Sequence, residues 1–533
     1  MFSEIDVVLG LMVAVAALAL LARKLAIPYP ILLVLGGLCL ALIPGLPRPH
    51  LNPDLIFLIF LPPLLFPAAL FTSWRDFHAN LRPISLLAIG LVLFTTCSVG
   101  YFAHYLVAGL PLAAAFILGA IISPPDAVAA TAVTERLRVP QRIVTVIEGE
   151  SLVNDAVALV AFQFAVKALN SGSFSLPLAT LDFFEVSIGG VLIGLAVGFL
   201  ASQAQRRLDD PPVQTTISLL TPFAAYLPAD QLGVSGVLAV VAAGLYLGWR
   251  SPEIINSRMR LQAGPVWEMI VFLLNGLVFI LIGLQLPEIW QGLRERTLSL
   301  TRICWYAMLI SALVIVVRFV WVFAATYLPR YLSRKLRERD PNPPWQHVVI
   351  VAWTGMRGVV SLAAALALPS MILTELPAPG RTVIINLIIF FTYVVILVTL
   401  VLQGLTLPLL IRWLKVVDSG ESEREEREAR LKANLAALAR LAEFGQQKVF
   451  AAELLDRLRV EYEDRVRELE TFGQDEAHRM AAMFSLDYEH LQQEALRVER
   501  QTILQLRNER IINDNVLRRI QHDLDLAEAR LRR

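Results

Sequence analysis

The fold class that the sequence predicts is an all-α polytopic membrane protein with a helical cytoplasmic tail. Three observations carry that expectation. Across 533 residues the AVILMFWYC set makes up 56% and charged residues only 17%, with a mean hydropathy of +0.60; a soluble globule cannot hide so large an apolar share. The charge is also unevenly divided, because residues 1–414 hold 47 of the 93 Asp, Glu, Lys and Arg and the last 119 hold the other 46. Finally, apolar runs long enough to cross a hydrocarbon core about 30 Å thick recur in the first part only. The expected organisation is a transmembrane domain over 1–414 and a charged helical domain over 415–533.

Thirteen stretches qualify as spans: 7–23, 26–44, 55–72, 84–108, 111–133, 147–167, 182–204, 213–228, 232–248, 266–286, 300–326, 347–370 and 381–413. The first is read as a retained span and not a cleaved leader, since no basic segment precedes it and Arg23-Lys24 follow it. If the N-terminus is outside, the inner loops collect seventeen Lys and Arg, among them Arg23, Arg136, Arg142 and Arg330. The outer loops hold six, namely Arg48, Lys167, Arg294, Arg296, Arg302 and Arg381. That bias places the inner loops and the C-terminus in the cytoplasm of a cell whose plasma membrane the chain spans.

Several function classes fall away on composition. A net charge of +1 offers no basic face for nucleic acid. Cys39, Cys97 and Cys304 sit singly in apolar runs, so neither a disulfide framework nor a zinc site is implied. There is no Gly-rich phosphate loop, His cluster or ATPase signature, so no cofactor is expected and the chain is not read as an enzyme. In the tail, Leu431, Leu435, Leu438 and Leu441, then Ile503, Leu506, Ile511, Leu517 and Leu524, recur at helical spacing. A solvated helical appendage is the plainer reading of that region, and a regulatory or dimer-supporting role is the other.

Ionisable residues inside spans are costly and mark function by default. Asp126, Glu150, Asp155, Arg318 and Arg357 lie well inside. Asp126 follows Ser123-Pro124-Pro125, where consecutive prolines remove backbone donors and disfavour helix in the preceding residues. A break is therefore expected in the middle of the fifth span, which lipid would not tolerate but an ion-binding cavity would. In the sixth span, Ser151 and Asp155 fall one turn apart on one helix face, with Glu150 and Asn154 on an adjacent strip. A hydroxyl beside a carboxylate supplies hard oxygen ligands suited to an alkali cation. Around Arg357, Gly355 and Gly358 weaken the helix and suggest a second interruption. Three acids face two permanent cations here. If each arginine neutralises one acid, one carboxylate lacks a counterion and must hold a proton or a mobile cation in turn. The hypothesis is that this acid is Asp155.

Gly149-Glu150-Ser151-Leu152-Val153-Asn154-Asp155, Ser123-Pro124-Pro125-Asp126 and Gly355-Met356-Arg357-Gly358 together resemble the sodium/proton exchanger family of the NhaP and eukaryotic exchanger type. The segments Ile59–Phe66 and Asn275-Gly276 through Gly283–Pro287 add to the likeness. It extends over nearly all of 1–414. The resemblance implies thirteen helices in inverted repeats, interrupted helices that cross, a homodimer, and an elevator-like motion of a core domain. It implies that Asp155 carries cation or proton, that Asn154 completes the pair of the electroneutral branch, and that Ser151 is a cation ligand. It further implies that Glu150 pairs with Arg318, and that Asp126 and Arg357 offset half-helix dipoles. Two departures thin the ligand set: Pro125 replaces a threonine common among relatives, leaving only a carbonyl to offer, and Pro67 stands where some prokaryotic relatives carry an acid.

The leading expectation is thus electroneutral exchange of a monovalent cation, Na+ before K+ or Li+, for H+. A passive cation channel or uniporter using the same polar cavity is the alternative. An intramembrane protease is a third reading, but the Gly-x-Gly-Asp signature is absent and no histidine lies near Ser151.

Overall fold

The computed structural model describes residues 4–25, 27–43, 56–134, 137–171, 176–255, 257–287, 289–290, 299–371, 378–416, 418, 420–447, 450–471, 491–492, 494–506, 508–509, 511 and 514–531. Arg48, Arg136, Arg294 and Arg296, which the sequence assigns to loops, lie outside the described residues. The chain forms two compact units, Met1–Asp418 and Ser419–Arg533. The division falls slightly beyond residue 414 because Leu414 and Val416 are buried in the main apolar core of the first unit.

Each of the thirteen stretches holds helix. In order these are α1 (Glu4–Leu25), α2 (Tyr29–Ala41), α3 (Leu61–Phe71), α4 (Val92–Leu106), α5 (Leu112–Ile122), α6 (Val128–Thr134), α7 (Gln141–Ser171), α8 (Leu176–Arg206), α9 (Pro211–Gln231), α10 (Gly236–Ile254), α11 (Ser257–Leu284), α12 (Leu300–Leu332), α13 (Trp345–Trp353), α14 (Val359–Met371) and α15 (Ala378–Trp413). Two of the stretches, the fifth and the twelfth, are each split into two helices. Among the described residues, seven helices are long and apolar enough to cross a membrane by length and composition, and shorter apolar helices accompany them. Neither α9 nor α10 reaches that apolarity, and α9 buries Gln214, Ser218 and Thr221 within the bundle.

Local chemistry explains the ends and the irregularities. Pro62 and Pro63 open α3, where a missing N–H costs nothing. Asp210 and Ser235 cap α9 and α10 through the Val213 and Leu238 amides. A π-turn at Leu86–Leu91 leads into α4. There the Leu86 carbonyl accepts from Trp321 Nε1 at 2.9 Å, so the irregular backbone is not left unpaired in the bundle. α2 and α11 cross so closely that a Cβ on Gly37 would strike the Ile280 carbonyl, and one on Gly283 the Val34 carbonyl.

The two interruptions define the architecture. α5 stops at Ile122 and α6 starts at Val128, with Ser123-Pro124-Pro125 between, as two missing donors require. α13 stops at Trp353 and α14 starts at Val359 across Thr354–Gly358. The breaks meet each other. The Asp126 amide donates to the Met356 carbonyl at 2.7 Å, so each extended segment satisfies part of the other. α7 packs on α5, and α15 packs on α12 and α14.

In the second unit, α16 (Glu421–Gln447) packs on α17 (Ala452–Thr471). Ile503 with Leu517 and Leu524 of α18 (Asp514–Leu531) forms a small core, and Arg500 bridges Asp525 and Glu528 at 2.7 and 2.8 Å. Ile511 of the expected stripe is exposed.

Candidate cation-binding site

The site is assembled where α7 passes the crossing breaks. α7 brings Glu150, Ser151, Asn154 and Asp155 to it over little more than one turn. Glu150 and Asn154 are fully enclosed and Asp155 nearly so. Their neighbours then divide them.

Glu150 is clasped. Arg318 of α12 donates Nη1 to Oε1 at 2.6 Å and Nη2 to Oε2 at 2.9 Å, a bidentate pair with neither side chain reaching the surface. The same guanidinium donates from Nε and Nη2 to the Val351 carbonyl at 3.3 and 3.0 Å. That carbonyl is close to the C-terminal end of α13, where helix carbonyls lack partners of their own. One arginine thus fastens α7, α12 and the second broken helix together.

Asn154 fastens α7 to the first break: its Nδ2 donates to the Pro125 carbonyl at 2.8 Å, and its Oδ1 is buried without a partner. Pro125, expected as a carbonyl ligand, therefore already uses one lone pair on Asn154. Ser151 Oγ lies 3.4 Å from the Ala127 amide. Asp126 accepts from the Val128 amide at 2.8 Å, an anionic cap on the first turn of α6.

The charge count allowed each arginine to neutralise one acid, and Arg357 departs from that allowance, while both it and Asp126 lie at the helix ends whose dipoles the resemblance has them offset. Arg357 has no carboxylate within ion-pair distance among the described residues. Its Nε donates to the Ile122 carbonyl at 3.0 Å, its Nη1 to the Gly355 carbonyl, and its Nη2 is buried unpartnered. The physical reason is the broken backbone: the C-terminal end of α5 and the extended 354–358 segment present carbonyls that draw the guanidinium first. Two acids are left without an arginine where the charge count allowed one. Asp126 and Asp155 line the same cavity of about 830 Å³, together with Pro125, Ser151, Thr131 and Asn275.

Sequence reasoning did not single out Thr131, Glu268 or Thr399, and named Asn275 only within a segment of the family likeness. Thr131, Asn275 and Glu268 border the cavity. Thr399 of α15 accepts from the Arg357 amide at 3.2 Å and so holds the second break. A hydroxyl in the apolar run Val398-Thr399-Leu400 was a readable signal, but its partner was not. Gly358 is needed at its place, because a Cβ there would overlap the Asp126 carboxylate.

Broken helices crossing at mid-bundle beside carboxylates that lack fixed counterions define the class: a secondary transporter. The family model for the sodium/hydrogen exchanger transmembrane region matches residues 10–413. The chain belongs to the sodium/hydrogen exchanger family. It is 36% identical over 98% of its length to an uncharacterised Na+/H+ exchanger of Mycobacterium tuberculosis, covering 96% of that protein. To a sodium, potassium, lithium and rubidium/H+ antiporter of Bacillus subtilis it is 36% identical over 72% of its length and 58% of the relative. The solved sodium proton antiporter MjNhaP1 of Methanocaldococcus jannaschii has a similar fold, with a TM-score of 0.56, 22% identity, and coverage of 77% of this chain and 98% of that one.

Proposed function

We propose that this multi-pass membrane protein is a secondary antiporter that exchanges a monovalent cation for H+, with Asp155 as the group that alternately holds cation or proton. One observation carries the reading: Asp126 and Asp155 open into one cavity and, among the described residues, neither has an arginine within ion-pair distance, while Glu150 on the same helix as Asp155 has one. A buried carboxylate without a fixed counterion is stable only when a proton or a cation neutralises it, and the two compete for the same oxygens. Ser151 and one lone pair of the Pro125 carbonyl complete an all-oxygen ligand set, with Asp126 as the second carboxylate. Asn154 positions the first break, and Glu150–Arg318 and Arg357 hold the core.

Na+ is the leading substrate, with K+ and Li+ next, since relatives are named for all three. The exchange is electroneutral, the N-terminus lies outside and the C-terminus in the cytoplasm of the cell, and the protein works as a homodimer in the lipid bilayer of the plasma membrane. The passive channel weighed from the sequence finds no support among relatives named as exchangers and antiporters. The test is proton flux in proteoliposomes driven by Na+, K+ and Li+ gradients in turn, with and without a membrane voltage. Exchange that is cation-dependent, voltage-insensitive and absent in Asp155→Asn supports the reading. A flux that follows voltage with no cation-coupled proton movement removes it.

A further inference from the structure

At the end of the first unit where α7 begins, three guanidiniums converge on a single carboxylate. Arg142 Nη2 and Arg330 Nη2 donate to Asp340 Oδ1 and Oδ2 at 2.8 and 2.6 Å, and Arg82 Nη1 stands 3.6 Å from Oδ2. The three come from separate elements: Arg82 from the short helix Leu81–Ser85 that leads into α4, Arg142 from the first turn of α7, and Arg330 from the last turn of α12. Arg330 is fully engaged, since its Nε donates to the Asp340 carbonyl at 3.1 Å and its Nη1 to the Thr326 carbonyl. Arg142 also gives Nε to Asn80 Oδ1 at 3.1 Å. Arg82 Nη1, by contrast, is buried and has no hydrogen-bond partner.

Burial pushes the Asp340 carboxyl up, but hydrogen bonds and charge from Arg142 and Arg330 outweigh it and hold the group below the usual carboxylate range. It is therefore ionised at neutral pH, and three cations face one anion. No acid other than Asp340 lies within 4 Å of these guanidiniums among the described residues. A cavity of about 90 Å³ adjoins them, lined by the three arginines and by apolar side chains including Leu87, Val146 and Val322. Arg82 Nη1 meets Asp340 only at ion-pair distance and makes no hydrogen bond, and a buried donor left without one is costly. A tetrahedral oxyanion can accept from two guanidinium forks at once and restore the balance.

We propose that this cavity binds a phosphate-bearing anion, either free phosphate or the headgroup of an anionic phospholipid, seated between Arg82 and Arg142. The bound anion ties the entry to α4 to the two long helices that carry Asp155 and Arg318. It stabilises the folded state because it binds only there. None of the residues that line this site also lines the cation cavity, so failure of this proposal would leave the exchange reading intact.

The experiment is thermal unfolding of the full-length protein in detergent, with potassium phosphate against potassium chloride at equal ionic strength. A second arm compares added phosphatidylglycerol with phosphatidylcholine. A saturable rise in melting temperature with phosphate identifies the free anion as occupant. A rise with phosphatidylglycerol alone identifies the headgroup. Arg82→Gln should weaken the apparent affinity at least about tenfold, and Arg82→Lys less, since it keeps the charge and loses the fork. Arg142→Gln, at a half-exposed position, supplies the same reading if Arg82→Gln does not fold. The proposal is overturned if neither additive exceeds its control, or if the glutamine variants respond as the wild type does.

Discussion

Glu150 and Asp155 lie a turn and a half apart on one helix, both buried, and their surroundings are opposite. Glu150 is gripped by both arms of Arg318, and that arginine in turn holds the Val351 carbonyl. Asp155 faces a cavity with Asp126 across from it and no arginine within ion-pair distance among the described residues. The same residue chemistry therefore serves two ends. A carboxylate with a permanent partner is a rivet, and one without a partner must exchange its neutraliser. The difference lies in what α12, α13 and the two breaks bring to each position.

The largest effect expected is on the unpaired side. Asp155→Asn should reduce cation-coupled proton flux in proteoliposomes to background while leaving the melting temperature unchanged or higher, because it removes a buried charge that nothing fixed compensates. A lowered melting temperature would make Asp155 a structural group like Glu150. On the paired side the expectation inverts. Arg318→Ala strands Glu150 and should cost about 3–5 kcal/mol of stability, seen as a marked fall in melting temperature in detergent. Flux should fall too, as the second break loosens, and an unchanged melting temperature would break the contrast. Gly358→Ala tests the edge between the two regions. Its Cβ must displace the Asp126 carboxylate, with an expected cost of about 1–3 kcal/mol and a raised KM for the cation.

A smaller change should follow Thr399→Val, which deprives the Arg357 amide of its acceptor. About 1 kcal/mol is expected, with slowed exchange and an unaltered order of cation preference. Smallest is the response of a third acid, Asp340, clasped like Glu150 but near the surface, where screening weakens the bond. Its folded-state pKa is depressed, so its contribution is present above the unfolded value near about 3.9 and is lost as pH falls through the folded value. The Asp340→Asn variant should accordingly be less stable than wild type at neutral pH, and the gap should narrow in melts taken at progressively lower acid pH.

Much of the fold was legible along the chain. Long apolar runs can do little but form helices in a membrane, so all thirteen stretches hold helix, and Pro124-Pro125 could only interrupt the fifth. The second interruption was harder to read, because Gly355 and Gly358 permit a break and do not compel one. In the site, the spacing along α7 placed Ser151 and Asp155 correctly on one face, since helical periodicity is local. Arg357 misled: a count of charges cannot tell that backbone carbonyls of a broken helix will claim a guanidinium ahead of a carboxylate. Thr399 escaped for a related reason, as a lone hydroxyl in an apolar helix does not announce which amide it will meet.

By itself the sequence determined that this chain lives in a membrane, where its helices break, and which acids sit too deep to be incidental. Each of those follows from transfer free energies and backbone donors that belong to single residues or to neighbours in the chain. Only the tertiary structure decided which acids stay unpaired, that Asp126 joins Asp155 at one cavity, and that Pro125 is partly occupied by Asn154. Those outcomes depend on groups separated by tens to hundreds of positions, and burial makes their pairing a contest among all the donors and acceptors that packing brings within reach.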